Sequence, residues 1–309
     1  MSIFNDWKPQ QIEAFRRDNL LVNHNLHKSA LFDDASLAEL LDHHPVDKLD
    51  VCMMPDVSKG DIRFRTGDFR EADGETLINL VQQGEVWINM REAMNIHPRY
   101  KAVLDQMYGE ISEKTNMRFF RPRGGILISS PAAKVPYHVD TTETMLWHIR
   151  GEKSVFVYPK TKDFLSETEY EEQIVNEVNS YLTYSPDMDK SAFVHDLQAG
   201  EMMCWPLNTP HKVVNKSYCV SIATEYSSWE SKLKNSAIYT NAVLRRKFNQ
   251  TPNWEGANAA ERMVKSAIGY VLRSMNVIPE PPDFDMVSFR IHKNIPGYIE
   301  PVTPYARNF

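Results

Sequence analysis

Cysteine is scarce in this chain of 309 residues, which has only Cys52, Cys204 and Cys219. No two of them are separated by the two-residue spacing of Cys-x-x-Cys metal and redox sites. Secreted domains that depend on disulfides carry a dense and even-numbered set of cysteines, so the composition argues against that class. It favours a reduced protein, and we expect a cytoplasmic one.

Long apolar runs and an excess of basic residues are also missing. The sequence contains no run of about 18 apolar residues, the length that a membrane-spanning helix needs. Residues 1–19 carry acids and amides where a signal peptide would need an unbroken apolar run. The net charge of −6 and the pI of about 5.9 argue against a general nucleic-acid binder, which has a basic face. We therefore expect neither a membrane nor a nucleic-acid partner.

The chain has enough apolar sequence for one large domain, since 42% of its residues are hydrophobic and 11% are aromatic. Its pattern divides it into three parts. Residues 1–117 indicate a helical region that also contains the first strands of a sheet. Residues 118–227 indicate a run of strands that forms a β core. Residues 228–309 indicate helices followed by a proline-rich tail extended along the surface.

The central part contains short segments rich in β-branched and aromatic residues, separated by turns. These segments are GGILISS, ETMLWHI, KSVFVYP, EMMCWP and YCVSIATEYS. Regular short strands of this kind predict a β-sandwich or a β-barrel. A helical insertion at residues 160–190 interrupts them, and its acidic stretch 163–182 is interpreted either as a lid or as a solvated face.

Two sequence patterns also predict elements of the first part. Residues 73–94, DGETLINLVQQGEVWINMREAM, have helical apolar spacing. LDVCMMPD and DIRFRTGDF are read as short strands.

His138 and Asp140 form a His-x-Asp pair at the start of an apolar segment. Side chains two residues apart on a strand point to the same face, so the imidazole and the carboxylate face one cavity. His211, which follows a later strand and a proline turn, is the best candidate for a third ligand. Two histidines and one carboxylate on one face leave adjacent positions of an octahedral Fe(II) open. A single His-x-Asp pattern is common by chance. A metal site is favoured because His138, Asp140 and His211 lie together in one all-β segment.

Two further polar residues of the β core need a partner if they are buried. His148 has the same parity as His138, and we expect it to pack or to touch substrate rather than to bind metal. Lys153 follows a turn and begins a strand. A lysine inside a barrel is costly unless it is paired, and a dicarboxylate would supply the pair. A solvent-facing lysine at a turn is the alternative reading.

The segment from ILISSPAAKVPYHVD to KSVFVYP, with LQAGEMMCWPLNTPHKVVN after it, resembles the cupin-like, JmjC-type Fe(II)/2-oxoglutarate-dependent oxygenases. The resemblance is to the type that includes the asparaginyl hydroxylase of hypoxia-inducible factor, and it covers residues 118–227. It implies a mainly β core, a double-stranded β-helix or jelly-roll cupin, with N-terminal and C-terminal helices. It also implies that His138, Asp140 and His211 are the catalytic residues and hold Fe(II).

The same resemblance implies a binding site for 2-oxoglutarate. Lys153 stands 15 residues after His138, the family spacing for the lysine that binds the far carboxylate. Thr144 matches a position that hydrogen-bonds the near carboxylate. The chain departs from the family at Val135, where a threonine is common, and at Glu225, where an asparagine stands in the type compared. These departures leave open which groups hold the near carboxylate.

The function implied is that of a 2-oxoglutarate-dependent dioxygenase that hydroxylates a small molecule or a protein side chain and releases succinate and CO2. Two other classes remain open. One is a non-catalytic, metal-binding, cupin-like regulatory protein, and the other is a metal-cupin enzyme that needs no cosubstrate. Lys153 favours the first reading, because a cupin that only binds metal has no need of it.

Two features bear on partners. Arg118, Arg121 and Arg123 enter the β core together, and they either meet an anionic substrate or form a solvated strand end. Residues 260–275 carry a broad apolar stripe that consists of Met263, Ile268, Val271, Leu272 and Met275. Such a stripe must be covered by the N-terminal helices or by a second copy of the chain. The resemblance favours the second copy, a homodimer.

Overall fold

The computed structural model describes residues 2–5, 7–54, 64–84, 86–131, 133–176, 182–279 and 286–309. The start of the predicted strand at 61–69, residues 177–181 of the acidic insertion and residues 280–285 of the tail lie outside the described residues. None of the helices in the described part of the chain has the length and apolar character needed to cross a membrane.

The described residues form eight α-helices and fourteen strands. The helices are α1 Pro9–Ala14, α2 Asp34–His43, α3 Gly74–Gln83, α4 Ala93–Ile96, α5 Pro98–Thr115, α6 Glu167–Asn176, α7 Trp229–Phe248 and α8 Ala259–Ser274. The strands are β1 Leu20–Asn23, β2 Leu49–Met53, β3 Arg65–Asp68, β4 Val86–Met90, β5 Phe120–Ser129, β6 Lys134–His138, β7 Glu143–Arg150, β8 Lys153–Val157, β9 Phe193–Leu197, β10 Glu201–Cys204, β11 His211–Asn215, β12 Cys219–Ser227, β13 Met286–Ile291 and β14 Ile299–Ala306.

Within the described residues the strands form two sheets. The larger sheet has the order β1-β10-β7-β12-β5-β4-β2-β3-β13-β14, and the smaller has the order β6-β11-β8-β9. The strands from β5 to β12 are therefore divided between two sheets, with β5, β7, β10 and β12 in one and β6, β8, β9 and β11 in the other. This division is that of a double-stranded β-helix, and it confirms the fold class predicted from the sequence.

Strand β7 shows how alternation builds this core. Met145, Trp147 and Ile149 point to the outer face of the larger sheet and belong to the main apolar core. Leu146 points the other way and joins a separate apolar cluster with Val155, one that lies between the two sheets. The indole N–H of Trp147 donates to the hydroxyl of Thr224 at 2.9 Å, so its one polar group is satisfied. Period-two alternation thus separates the outer core from the inside of the barrel.

Two elements differ from the sequence prediction. Residues 73–94 were predicted as a helical run, but the helix ends at Gln83 and Val86–Met90 forms strand β4. Val86, Ile88 and Met90 are all fully buried, and their period of two outweighs the helical spacing in this half of the segment. The tail, predicted as an extended surface segment, contributes β13 and β14, and β13 pairs in parallel with β3.

The helix α8 packs on α7 through small and polar residues. Lys265, Ser266 and Gly269 are its buried residues, and the Ser266 hydroxyl donates to the Leu233 carbonyl at 2.7 Å. Most of its apolar stripe faces away, with Met263 61%, Val271 53% and Met275 68% exposed. Leu272 is the exception, since it packs against the apolar cluster that includes Ile238 of α7. The described N-terminal helices therefore do not cover this stripe.

The close approach of α7 and α8 gives a stability prediction. A Cβ added at Gly269 would lie 1.7 Å from the Ser236 carbonyl oxygen, so Gly269→Val must separate the helices. We expect it to lower the free energy of unfolding by about 1–3 kcal/mol, the usual range for overpacking. Gly109→Ala in α5 is the control, since a Cβ there meets nothing within 4 Å, and it should stabilise by about 0.5–1 kcal/mol. Equal melting temperatures for the two variants would contradict the close helix contact.

Candidate metal centre

Three side chains converge at one end of the smaller sheet. His138 ends β6 and His211 begins β11, and these two residues are direct partners across the strand pair. Asp140 lies two residues past the end of β6, and its carboxylate oxygens lie 3.5 Å from His211 Nε2 and 3.9 Å from His138 Nε2. One ligand atom from each residue lies within 4.8 Å of the others. The structure thus brings together the three residues predicted as metal ligands.

Backbone carbonyls orient both imidazoles. His138 Nδ1 lies 2.8 Å from the Pro136 carbonyl oxygen, and His211 Nδ1 lies 3.0 Å from that of Thr209. A carbonyl oxygen can only accept, so each Nδ1 carries the proton and donates. The lone pair of each ring is then on Nε2, the atom that faces Asp140. Such a second hydrogen bond is how ligating histidines are usually held in one tautomer.

The surroundings of His211 keep it neutral. Burial lowers the pKa of His211 to about 3, and the neighbouring His138 contributes in the same direction, against the opposing effect of Asp140. Neutral imidazole is the form that binds metal. The Trp205 ring packs on His211 with 4.2 Å between centroids and restricts its orientation.

The loop that carries Asp140 is also held in place. Asn208 Nδ2 donates to the Asp140 carbonyl oxygen at 3.0 Å. Two neutral imidazoles and one carboxylate on a single side are a donor set that suits Fe(II) and leaves its other positions accessible. The residues present therefore fit the metal that the sequence implies.

Lys153 points into the barrel rather than to solvent. It has the parity of Val155 and Val157 on β8, which belong to the inner apolar cluster, and it is only 3% exposed. No described carboxylate lies within ion-pair distance of its ammonium group. Burial lowers the pKa of Lys153 to about 8. A buried ammonium without a counter-charge indicates that an anion belongs inside the barrel.

Two buried polar atoms of the barrel strengthen that indication. The Thr144 hydroxyl and the Asn215 side-chain oxygen have no hydrogen-bond partner in the structure. Asn215 is the direct neighbour of Lys153 across β11 and β8. Buried polar groups are nearly always hydrogen-bonded, so these atoms point to a polar ligand. Sequence reasoning missed Asn215, although its position four residues after His211 on the same strand face could have indicated it.

The two departures from the family pattern have different surroundings. Val135 packs against the inner apolar cluster and offers no hydrogen-bonding group. Glu225 accepts from Arg123 at 3.1 Å and from the Thr142 hydroxyl at 3.3 Å. Burial, and then the Asp140 carboxylate, raise the pKa of Glu225. Glu225 thus adds a second acidic group beside the candidate metal ligands.

His148 is fully buried and both of its nitrogens are engaged, by the Gly151 carbonyl at 2.8 Å and the Ser221 hydroxyl at 3.0 Å. It packs inside the barrel and takes no part in the convergent site. Arg118, Arg121 and Arg123 are exposed at the start of β5, and Arg123 is paired with Glu225. Through Glu225, Arg123 is linked to the surroundings of the candidate centre.

Solved structures share this fold, although no protein-family model and no curated protein matches the sequence. The Escherichia coli ribosomal oxygenase YcfD in complex with cobalt and 2-oxoglutarate superposes with a TM-score of 0.51 at 14% identity, over 90% of this chain and 69% of that one. YcfD with cobalt and succinic acid gives a TM-score of 0.50 at 13% identity, over 90% and 69%. A further YcfD crystal structure gives 0.50 at 14%, over 91% and 70%. The chain therefore has the fold of the ribosomal oxygenase YcfD, the double-stranded β-helix that its sequence predicts.

Proposed function

We propose that the protein is an Fe(II)- and 2-oxoglutarate-dependent oxygenase that hydroxylates a small molecule or a protein side chain and releases succinate and CO2. The observation that carries the proposal is a pair of features in one barrel. Two Nε2 atoms and a carboxylate meet at His138, Asp140 and His211, and a buried ammonium without a counter-charge lies farther inside, at Lys153. The cobalt complexes of YcfD with 2-oxoglutarate and with succinic acid support the same combination of ligands.

Each residue has a defined task in this proposal. His138, Asp140 and His211 hold the metal, which when bound supplies the activation of O2 that oxidises a C–H bond. Lys153 pairs with the far carboxylate of 2-oxoglutarate through a charge-assisted hydrogen bond. Thr144, whose hydroxyl has no partner in the structure, donates to a carboxylate oxygen. The apolar cluster around these groups excludes water from the site.

The two other classes make different predictions. A non-catalytic cupin, or a metal enzyme that needs no cosubstrate, would have no use for a buried unpaired lysine inside the barrel. Anaerobic addition of Fe(II) and then 2-oxoglutarate separates the three readings. We expect a visible metal-to-ligand charge-transfer band that needs both additions, and succinate once O2 is admitted. Tight iron binding without the band would contradict the 2-oxoglutarate proposal, and the band without succinate would favour a binding protein.

A homodimer through α8 is part of this proposal. The exposed apolar stripe of α8 is of the kind that marks an interface, and the structure excludes the described N-terminal helices as its cover. We expect light scattering at micromolar concentration to give twice the mass of the 35.7 kDa chain. Val271→Glu should give a monomer with unchanged secondary structure, because the side chain is exposed in the single chain. A wild-type protein of monomer mass would contradict the dimer.

The location stays a prediction. The three cysteines, all within the described ranges, form no disulfide, and each is buried. This fits the reducing cytoplasm that the composition favours.

A further inference from the structure

A cavity of about 560 Å³ lies outside the barrel, between the segment after β8 and the helices α6, α7 and α8. Its volume falls in the range of roughly 300–1,000 Å³ that is typical of small-molecule sites. Three cationic side chains line it: Lys160, Lys234 and Arg262. Leu165, Tyr170 and Trp254 supply apolar and aromatic surface in the same wall. The lining thus joins positive charge with flat apolar surface.

The acidic side chains of the wall are already committed to other groups. Glu167 accepts from the backbone N–H of Trp254 at 2.9 Å and of Glu255 at 3.3 Å. The Glu255 carboxylate pairs with Lys162 at 2.9 Å. Glu230 pairs with Arg16, also at 2.9 Å. Among the described residues, these carboxylates therefore form no ion pair with the three cations of the cavity, and they attract the lysines only at longer range.

The cations themselves are incompletely satisfied. Lys234 donates to the Asn208 side-chain oxygen at 2.9 Å and lies 5.1 Å from the Tyr170 ring centre, and neither Lys160 nor Lys234 has an ion pair among the described residues. Arg262 lies over the Trp254 ring at 4.7 Å. Its Nη2 donates to two backbone carbonyls at 3.1 Å, but its buried Nε has no partner. An unused donor and two unpaired ammonium groups on one cavity are what an anion would complete.

Electrostatics agree with this geometry. Burial lowers the pKa of Lys234 to about 8, and the repulsion from Lys160 and Arg262 adds to it against the attraction of Glu230 and Glu255. Partial desolvation by the cavity wall also lowers the pKa of Lys160, although its side chain keeps access to solvent. Like charges that depress one another are relieved when a negative group enters between them.

We infer that this cavity is a binding site for a small organic anion, whose carboxylate or phosphate group lies among Lys160, Lys234 and Arg262 while its apolar body packs on Tyr170 and Trp254. The site is independent of the proposed oxygenase activity. It is nevertheless close to the candidate metal centre, because Asn208 accepts from Lys234 and donates to the Asp140 carbonyl. Lys234, which the anion would contact, is therefore two hydrogen bonds from a candidate metal ligand.

Calorimetric titration of the metal-free full chain tests the inference. The three ligands, phenyl phosphate, benzoate and benzyl alcohol, share a phenyl ring and differ in their polar group. We expect at least one of the two anions to bind about tenfold or more tightly than the neutral alcohol, since a charge-assisted hydrogen bond contributes about that factor or more. The anion that binds more tightly shows whether the site prefers a phosphate or a carboxylate group. Binding should weaken as salt is added.

Charge-removing variants localise the binding. Lys234→Gln and Arg262→Gln should each weaken the anion about tenfold. Lys160→Gln gives a second measurement at an exposed residue, where a folding defect is not expected. Lys232→Gln is the matched control, because it removes the same charge from α7 at a surface position over the Phe120 ring. The site would be refuted by absence of anion binding, by equal affinity for benzyl alcohol, or by equal losses in Lys232→Gln and the cavity variants.

Discussion

Asp140→Ala is expected to abolish tight Fe(II) binding and all turnover while leaving the fold intact, and His138→Ala and His211→Ala are expected to do the same. Each change removes one of three protein ligands that meet within 4.8 Å. Asp140 is the sharpest test, because its side chain is partly exposed beyond the end of β6 and its loss leaves no cavity in the core. A site with two ligands remaining holds a labile metal far less tightly.

Thermal unfolding measures the loss of Fe(II) binding without an activity assay. Fe(II) at about a hundred times its dissociation constant should add about 2.7 kcal/mol to the free energy of unfolding of the wild type under anaerobic conditions. The three variants should show no such gain. His43→Ala, which removes an exposed imidazole at the end of α2, should keep it. Full metal-dependent turnover in any of the three ligand variants would show that the triad is misassigned.

Lys153→Ala is expected to raise the 2-oxoglutarate requirement with little change in Fe(II) binding. Truncation of one partner of a buried charge pair costs about 2–5 kcal/mol, which is about 30-fold to several thousandfold in affinity. Titration of the charge-transfer band with 2-oxoglutarate measures it directly. Lys212→Ala is the control, since Lys212 on the adjacent strand faces outward and pairs with Asp189 at 2.5 Å. An unchanged affinity in Lys153→Ala would remove Lys153 from the cosubstrate site.

Replacing Lys153 should stabilise the metal-free protein, although it weakens the binding of 2-oxoglutarate. Lys153→Met keeps the length of the side chain and removes a buried charge that has no described counter-ion, so we expect it to stabilise the fold. The pKa of Lys153 is lowered from 10.5 to about 8, so its destabilising effect is fully present below pH 8 and is lost as the pH rises to 10.5. The stability gap between Lys153→Met and the wild type should therefore narrow across that range. A gap of opposite sign would indicate a structural lysine.

The sequence by itself carried the local chemistry of the candidate site. Short segments rich in β-branched and aromatic residues, separated by turns, predicted a β core, and the fold prediction is confirmed. The sequence predicted three metal ligands from the His-x-Asp spacing and the later His211, and the structure brings these three side chains together. Its family resemblance also implied that Lys153 points into the barrel, where the structure buries it. These features are readable because strand geometry fixes the face of each residue from its parity alone. Their assignment as metal and cosubstrate ligands stays a prediction.

Only the tertiary structure decided what each face meets. Val86–Met90 has a period of two in its own sequence, but its place between β2 and β5 is a contact with distant residues that this spacing does not specify. The stripe of α8 was visible in the sequence, but its outward direction depends on Gly269 fitting against Ser236.

Asn215 and the cation-lined cavity appeared only when distant segments were packed together. The periodicity of a sequence indicates which side of a helix or strand is apolar or charged. The partner of that side comes from residues far away in the chain, and their packing is a property of the whole fold.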